Sequence, residues 1–181
     1  MQKPHIIIKE GSLLDEPSGT FIVNPSNTLL SLGSGVSGAF RQKCQATLQK
    51  AMNEALQRYG PLHKGDVVLT KGCDALDFEW IMHVAVMDYS GGSVAPTYSD
   101  IQRALENMEK IFSEYARQNS KKIKVALPLM GTGVGGLQKR KVVQLYRDFF
   151  IKPIAYELEV VIYGHTLEDA VLLDKVFHSQ S

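Results

Sequence analysis

Apolar residues fall along the chain in two rhythms. Short β-branched runs at His5 to Lys9, Thr20 to Asn24, Val67 to Thr70, Trp80 to Met87, Ile123 to Leu127 and Glu159 to Tyr163 read as strands. Several are apolar on both faces. A half-exposed strand would alternate apolar and polar residues, so these runs predict a sheet covered by helices on both sides. Between them the period lengthens. From about Asp100 to Arg117, Ile101, Ala104, Leu105, Met108, Ile111, Phe112 and Tyr115 recur at the spacing of one buried helical stripe, with Ser99 and Gln102 as a capping box. A second helix is predicted from near Val36 to Tyr59, with Phe40, Cys44, Leu48, Met52, Ala55 and Tyr59 on one face and Gly60-Pro61 as its stop. Two more follow. One runs from Gln138 to Phe150 with Val142, Leu145, Tyr146 and Phe149 inward, and one begins after Thr166, capped by the Thr166/Asp169 pair, and ends near Phe177. From Trp80 onward strands and helices alternate, the pattern of a three-layer α/β/α sandwich on a mixed, largely parallel sheet.

A length of 181 residues fits one domain spanning residues 1–181, with no internal repeat, low-complexity tract or linker to divide it. With 44% hydrophobic and 22% charged residues the chain can bury a sizeable core, which excludes disorder and collagen-like repeats. Lys+Arg number 20 against 19 Asp+Glu, so no global field points to nucleic acid or an anionic membrane. The apolar run Ile6-Ile7-Ile8 is closed by charge after three residues, far short of a signal peptide or a membrane span of about 20 apolar residues, and the expected compartment is the cytoplasm. Cys44 and Cys73 sit in no CxxC pair or Cys/His cluster, which argues against a zinc site or a disulfide framework. Cys44, on the buried face of a predicted helix, reads as a small hydrophobe. His5, His63, His165 and His178 are scattered without ligand spacing, so no metal and no cofactor are expected; His83, in an apolar run, reads as a core residue with satisfied ring nitrogens.

The chemistry concentrates in two glycine-rich segments, Gly33-Ser34-Gly35-Val36-Ser37-Gly38 and Gly131-Thr132-Gly133-Val134-Gly135-Gly136, each between a predicted strand and a predicted helix. Both satisfy GxGxxG. Glycine allows positive φ and close approach of a ligand, and free N–H groups at a helix start bind anionic phosphate oxygens without a cationic side chain. At strand C-terminal ends the two loops face one crevice. Neither continues with Lys and then Ser or Thr, which rules out a P-loop NTPase, and the first does not open directly after its strand as a dinucleotide fingerprint does. Lys139-Arg140-Lys141, just past the second loop, reads as a solvated face.

The stretch Ile22-Val23-Asn24-Pro25-Ser26-Asn27 followed by Gly33 to Ala39 resembles the first strand and loop of a macro domain, an ADP-ribose-binding module. Gly60-Pro61 with Gly65 to Thr70, Trp80 to Ala85, and Ala126-Leu127-Pro128 leading into Gly131 to Gly136 extend the resemblance from about Ile6 to Phe177. The resemblance implies that Asn27 contacts the distal ribose. It implies that Gly35, Val36, Ser37 and Gly38 on one side, and Gly131, Thr132, Gly133, Val134, Gly135, Gly136 and Leu137 on the other, clamp a pyrophosphate. Tyr163 occupies the place of an aromatic residue that packs on adenine, and reads equally as a strand residue in the core.

The chain departs from the family pattern in three places. Ser12 stands where many members carry the Asp that accepts from adenine, with Asp15 nearby as a replacement. Ser37 stands where many hydrolytic members carry Asp, and Gly135 and Leu137 stand near positions that are commonly aromatic. The expected function is binding of ADP-ribose, or of an ADP-ribosylated protein or metabolite. The alternatives are hydrolysis of ADP-ribosyl or O-acetyl-ADP-ribose esters, slow without the loop Asp and with Asn27 or Asp88 as catalytic candidates, and binding of a nucleotide or RNA end, which near-neutral charge disfavours.

Overall fold

The computed structural model describes residues 1–91 and 94–179. Six strands form one sheet in the order β1-β6-β5-β2-β4-β3. They are β1 (His5–Glu10), β2 (Ser18–Asn27), β3 (Val67–Lys71), β4 (Asp77–Met87), β5 (Ile123–Pro128) and β6 (Leu158–Gly164). All neighbours run parallel except β3, which pairs antiparallel with β4. Helices α1 (Gly35–Cys44) and α2 (Ala46–Tyr59) cover one face; α3 (Tyr98–Asn119), α4 (Lys139–Phe150) and α5 (Leu167–His178) cover the other. The strands therefore bury both faces, as their apolar runs predict. Phe21, Val23, Met82 and Val84 pack under α3 and α4, while the alternating Ile22, Ile81, Ala126 and Val161 pack toward Phe40, Leu48 and Met52. No helix among the described residues is long and apolar enough to cross a membrane.

Four details differ from the sequence reading. The helix expected from Val36 to Tyr59 is two helices, broken at Gln45, whose φ of 59° and ψ of −155° leave the helical region. Phe40, Cys44, Leu48, Met52 and Ala55 still share one buried stripe, but Tyr59 is exposed at the helix end. The α3 capping box is Thr97/Asp100 rather than Ser99/Gln102: Thr97 Oγ1 accepts from the Asp100 N–H at 3.2 Å and Asp100 accepts from the Thr97 N–H at 2.8 Å. An acidic third residue answers both the free N–H and the positive end of the helix dipole, which glutamine does not. Finally, Cys44 and Cys73 form a disulfide with a Cα–Cα distance of 5.6 Å. The break at Gln45 ends α1 beside the β3–β4 turn that carries Cys73, a proximity that spacing along the chain does not encode.

Over β1, β6 and β5 the α1–α2 face is closed by the segment between β1 and β2, a 3-10 turn at Leu13–Asp15 followed by Glu16. Glu16 is 3% exposed and fully engaged. Its carboxylate meets Lys9 Nζ at 2.9 Å and Lys124 Nζ at 2.8 Å and accepts from the Tyr163 hydroxyl at 2.6 Å. Burial pushes its pKa up, but the hydrogen bonds from Lys124, Tyr163 and Lys9 outweigh it and hold the carboxyl at about 2, down from 4.5.

A carboxyl whose folded pKa is depressed stabilises the protein above its unfolded pKa, and that contribution fades as pH falls from about 4.5 to about 2. Glu16→Gln should therefore cost about 3 kcal/mol at pH 7 and flatten the stability loss across that interval, measured by denaturant unfolding at a series of pH values. Reduction of the disulfide, which spans 29 residues, should cost about 3 kcal/mol and lower Tm by roughly 5–10 °C. Thermal unfolding with and without a dithiol, beside a thiol count in denaturant that finds no free thiol before reduction, checks this.

Candidate functional site

Neighbouring strands β2 and β5 send the chain to opposite faces of the sheet, β2 toward α1 and β5 toward α4. The diverging exits open a crevice at the strand C-terminal ends, the place where open α/β sheets bind ligands. It is a cleft of about 170 Å³. Its floor is Pro25 to Asn27 of β2, Val86 and Met87 of β4, and Pro128 of β5 with the following Leu129. One wall is Gly33 to Ser37, the opposite wall is Gly131 and Gly133 to Gly135, and Tyr89 stands at the mouth.

Both walls present backbone N–H groups. In the first, the helix begins bonding with the Gly38 N–H, which donates to Ser34 O at 3.2 Å, so the N–H groups of Gly35, Val36 and Ser37 have no intrahelical acceptor. In the second, Leu137 N–H donates to Gly131 O and Gly136 N–H to Gly133 O, both at 3.0 Å. Those two bonds curl the loop and leave the N–H groups of Gly131 to Gly135 without a partner among the described residues. Such a nest, at the ends of two strands and beside a helix N-terminus, attracts an anion.

The loops are held from behind. The Tyr146 hydroxyl of α4, fully buried, donates to Pro128 O at 2.7 Å and accepts from the Met130 N–H at 2.8 Å, fixing the exit from β5. Gln49 of α2 does the same for the first loop, accepting from the Leu32 N–H at 2.8 Å and donating to Leu30 O at 2.9 Å. Close backbone approach requires glycine at two positions in particular. At Gly135 a Cβ would lie 2.6 Å from Gly131 O, and at Gly38 it would lie 2.8 Å from Gly33 O.

Of the residues expected at the site, Asn27, Gly35, Val36, Ser37, Gly131, Gly133, Val134 and Gly135 line the cleft together. Gly38, Thr132, Gly136 and Leu137 lie behind it; the Thr132 hydroxyl bonds Leu129 O at 2.8 Å and Leu137 packs on the core. Ser12, Asp15 and Tyr163 are not part of it. Asp15 borders a second hollow with Lys43 and Asp77 at the other end of the sheet. Tyr163 is buried in the core with its hydroxyl on Glu16, and burial and that carboxylate push its pKa up.

Asn27 has a structural duty. Its Oδ1 accepts from the N–H groups of Leu29 at 3.1 Å and Ser31 at 3.2 Å, and its Nδ2 donates to Ser31 O at 2.9 Å, leaving one amide N–H. Asp88 lies outside the lining and accepts from the Thr28 hydroxyl and from Ser90 N–H, both at 2.9 Å. The Ser90 hydroxyl, its backbone N–H and the Thr28 hydroxyl hold the Asp88 carboxyl below its usual range, which makes it a poor general base. Gly92, four residues past Asp88, lies outside the described residues. Ser37 Oγ accepts from the Gly33 N–H at 3.4 Å and is buried. His83 is fully buried between Asn24 Nδ2 at 3.0 Å and Thr70 Oγ1 at 2.8 Å, and burial lowers its pKa to about 3, so it stays neutral. The described lining thus contains no carboxylate, imidazole or amine. Sequence reasoning missed Met87, Leu129 and Tyr89; the only signal was that Tyr89 follows Asp88 at the end of a strand.

Residues 23–146 match the Macro domain family. The chain belongs to that family. An uncharacterized protein of Sulfolobus acidocaldarius is 27% identical over 165 residues, 87% of this chain and 83% of that relative. The Oceanobacillus iheyensis macrodomain with ADP is similar in structure, with a TM-score of 0.76 and 20% identity over 93% of this chain and 87% of that one. The Trypanosoma brucei macrodomain in complex with ADP-ribose gives a TM-score of 0.73 and 18% identity, covering 94% of this chain and 68% of that one. At these identities the structural likeness speaks to the fold of the macro domain, a six-stranded sheet between helices, and the site rests on its own geometry.

Tyr146→Phe removes one hydroxyl that serves two buried backbone groups of this macro domain. The loss should cost about 1–3 kcal/mol in denaturant unfolding, because Met130 N–H and Pro128 C=O are left without partners.

Proposed function

We propose that this macro domain binds ADP-ribose, free or carried on a protein or metabolite, with the pyrophosphate between its two glycine loops. The observation that carries this reading is the pair of unpartnered N–H rows, Gly35 to Ser37 and Gly131 to Gly135, on opposite walls of a cleft whose described lining has no cationic side chain. A pyrophosphate offers oxygens on two sides, which suits two opposed nests better than a single phosphate would. Support also comes from the O. iheyensis and T. brucei macrodomains, solved with ADP and ADP-ribose. Asn27 presents its remaining N–H to a ribose hydroxyl. The reading is of a binding module rather than a fast hydrolase, since the described lining offers no general base and a serine hydroxyl such as that of Ser37 is neutral at pH 7.

Titration calorimetry with ADP-ribose and AMP tests it. ADP-ribose should bind more tightly than AMP, and Gly133→Val should weaken it at least tenfold without unfolding the protein. A Cβ at Gly133 meets nothing within 4 Å and its φ is not positive, so the added side chain takes space from the ligand and not from the fold. Alanine at Lys139, Arg140 and Lys141 together should change affinity less than threefold: Lys139 is paired with Asp169 at 2.8 Å and none of the three lines the cleft. No binding of ADP-ribose near millimolar concentration, where affinity is worth only about 4 kcal/mol, would sink the proposal.

A further inference from the structure

Between Met130, fully buried, and Leu137, which packs on the core, the second glycine wall buries no side chain. Val134 is 75% exposed, and Gly131, Gly133, Gly135 and Gly136 have nothing to bury. The internal hydrogen bonds of the wall curl it without attaching it to a neighbour, and Tyr146 fixes only the exit from β5, up to Met130. Glycine-rich backbone has the most conformational freedom to lose, so an unattached wall would spread its N–H groups over many arrangements.

The start of α3 attaches it. Pro96, itself buried, covers the wall: a Cβ at Gly135 would lie 3.0 Å from its Cδ and Cγ, and one at Gly131 would lie 3.4 Å from its Cγ. Proline has no backbone N–H and its ring no donor, so the contact is one of shape and leaves the N–H groups of the wall unbonded. Two residues on, the Tyr98 hydroxyl accepts from the Gln138 N–H at 3.0 Å, where the loop gives way to α4. The wall is thus gripped at both ends. The grip is set by Lys64, in the segment between α2 and β3. Its Nζ donates to Ala95 O at 2.7 Å and pairs at 3.4 Å with the Asp100 carboxylate, the group that caps α3 by accepting from the Thr97 N–H. One ammonium therefore fixes the residue before Pro96 and the helix turn after it. Lys64 is anchored in turn, since Arg103 donates to Lys64 O at 2.7 Å and the next residue, Gly65, donates its N–H to Ala85 O of β4 at 2.8 Å.

We propose that Lys64 and Tyr98 are positioning residues for pyrophosphate binding: neither lines the cleft, and both act by holding the second glycine wall in one arrangement. This rests on the reading of the cleft as a pyrophosphate site. The two walls differ in what they need. Gly35 to Ser37 lie inside α1, whose helical geometry sets their N–H groups, whereas Gly131 to Gly135 precede α4 and take their shape from what packs on them. A wall ordered in advance leaves the full interaction to the ligand, and one ordered only on binding subtracts its lost freedom from the affinity.

The experiment is calorimetric titration of wild type, Tyr98→Phe, Lys64→Met and Lys64→Arg with ADP-ribose, beside amide hydrogen exchange of the ligand-free proteins. Tyr98→Phe removes a single oxygen and keeps the fold. Tyr98→Phe and Lys64→Met should each weaken ADP-ribose about tenfold and speed exchange of the amides of residues 131–138 by a similar factor, with exchange in α1 unchanged. Lys64→Arg, whose guanidinium can reach both Ala95 O and Asp100, should stay within about threefold of wild type. Affinity within twofold of wild type in both Tyr98→Phe and Lys64→Met overturns the assignment, and so does faster exchange spread evenly over the sheet and α1, the mark of a merely structural role. Wild type that binds no ADP-ribose removes the pyrophosphate reading and this one with it; wild type that binds while both variants bind equally well removes this one alone.

Discussion

Two adjacent parallel strands cannot both send their chains to the same face of a sheet when the helices that follow must pack on opposite ones. At the ends of β2 and β5 this constraint parts the backbone and leaves a gap that neither α1 nor α4 fills. Everything in the cleft depends on that parting. The N–H groups at each exit have lost their strand partners and have not yet gained helical ones, so they border the gap without a partner among the described residues. The glycines follow as a second consequence, since at Gly38 and Gly135 the loops fold back on their own carbonyls more closely than a Cβ permits.

Polar groups behind the cleft keep the gap open at a fixed width. Tyr146 and Gln49 each reach from a helix to two backbone groups of the loop on their own side, so the walls are anchored to α4 and α2 and not to each other. Farther down, His83 holds β2 to β3 through Asn24 and Thr70, and Glu16 gathers Lys9, Lys124 and Tyr163 beneath β1, β6 and β5. The His83 ring and the Glu16 carboxylate are each matched to partners of the right chemistry, which is what allows a sheet interior to carry them at all.

Much of the fold was legible because periodicity reports burial. Six β-branched runs became six strands, and the stripe Ile101, Ala104, Leu105, Met108 and Phe112 became the buried face of α3. What escaped depends on contacts between distant residues. Nothing in Lys43-Cys44-Gln45-Ala46 marks a helix break, because no glycine or proline stands there, and the pairing of Cys44 with Cys73 requires the break first. At the site, the glycine loops were readable because close approach of backbone to backbone, as at Gly38 and Gly135, leaves a compositional trace. Asn27, Tyr163 and Tyr89 were not assignable to their surroundings, since a polar or aromatic residue at a strand end has the same letter whether it faces a ligand, a loop or the core. The structure puts Tyr163 in the core, Tyr89 at the cleft mouth, and most of the Asn27 amide on its own loop.

The described cleft lining contains no lysine, arginine or histidine. An anion held there interacts with fixed peptide dipoles a few ångströms away, well inside the Debye length of about 8 Å at physiological ionic strength. Dissolved ions therefore have little to screen. Nor does the site project a far-reaching field that would draw anions from solution and speed their arrival, as a basic cleft does. Capture is left to ordinary diffusion and retention to geometry, so the nucleic acids and polyphosphates that crowd a positively charged surface gain no advantage here over a molecule whose shape fits.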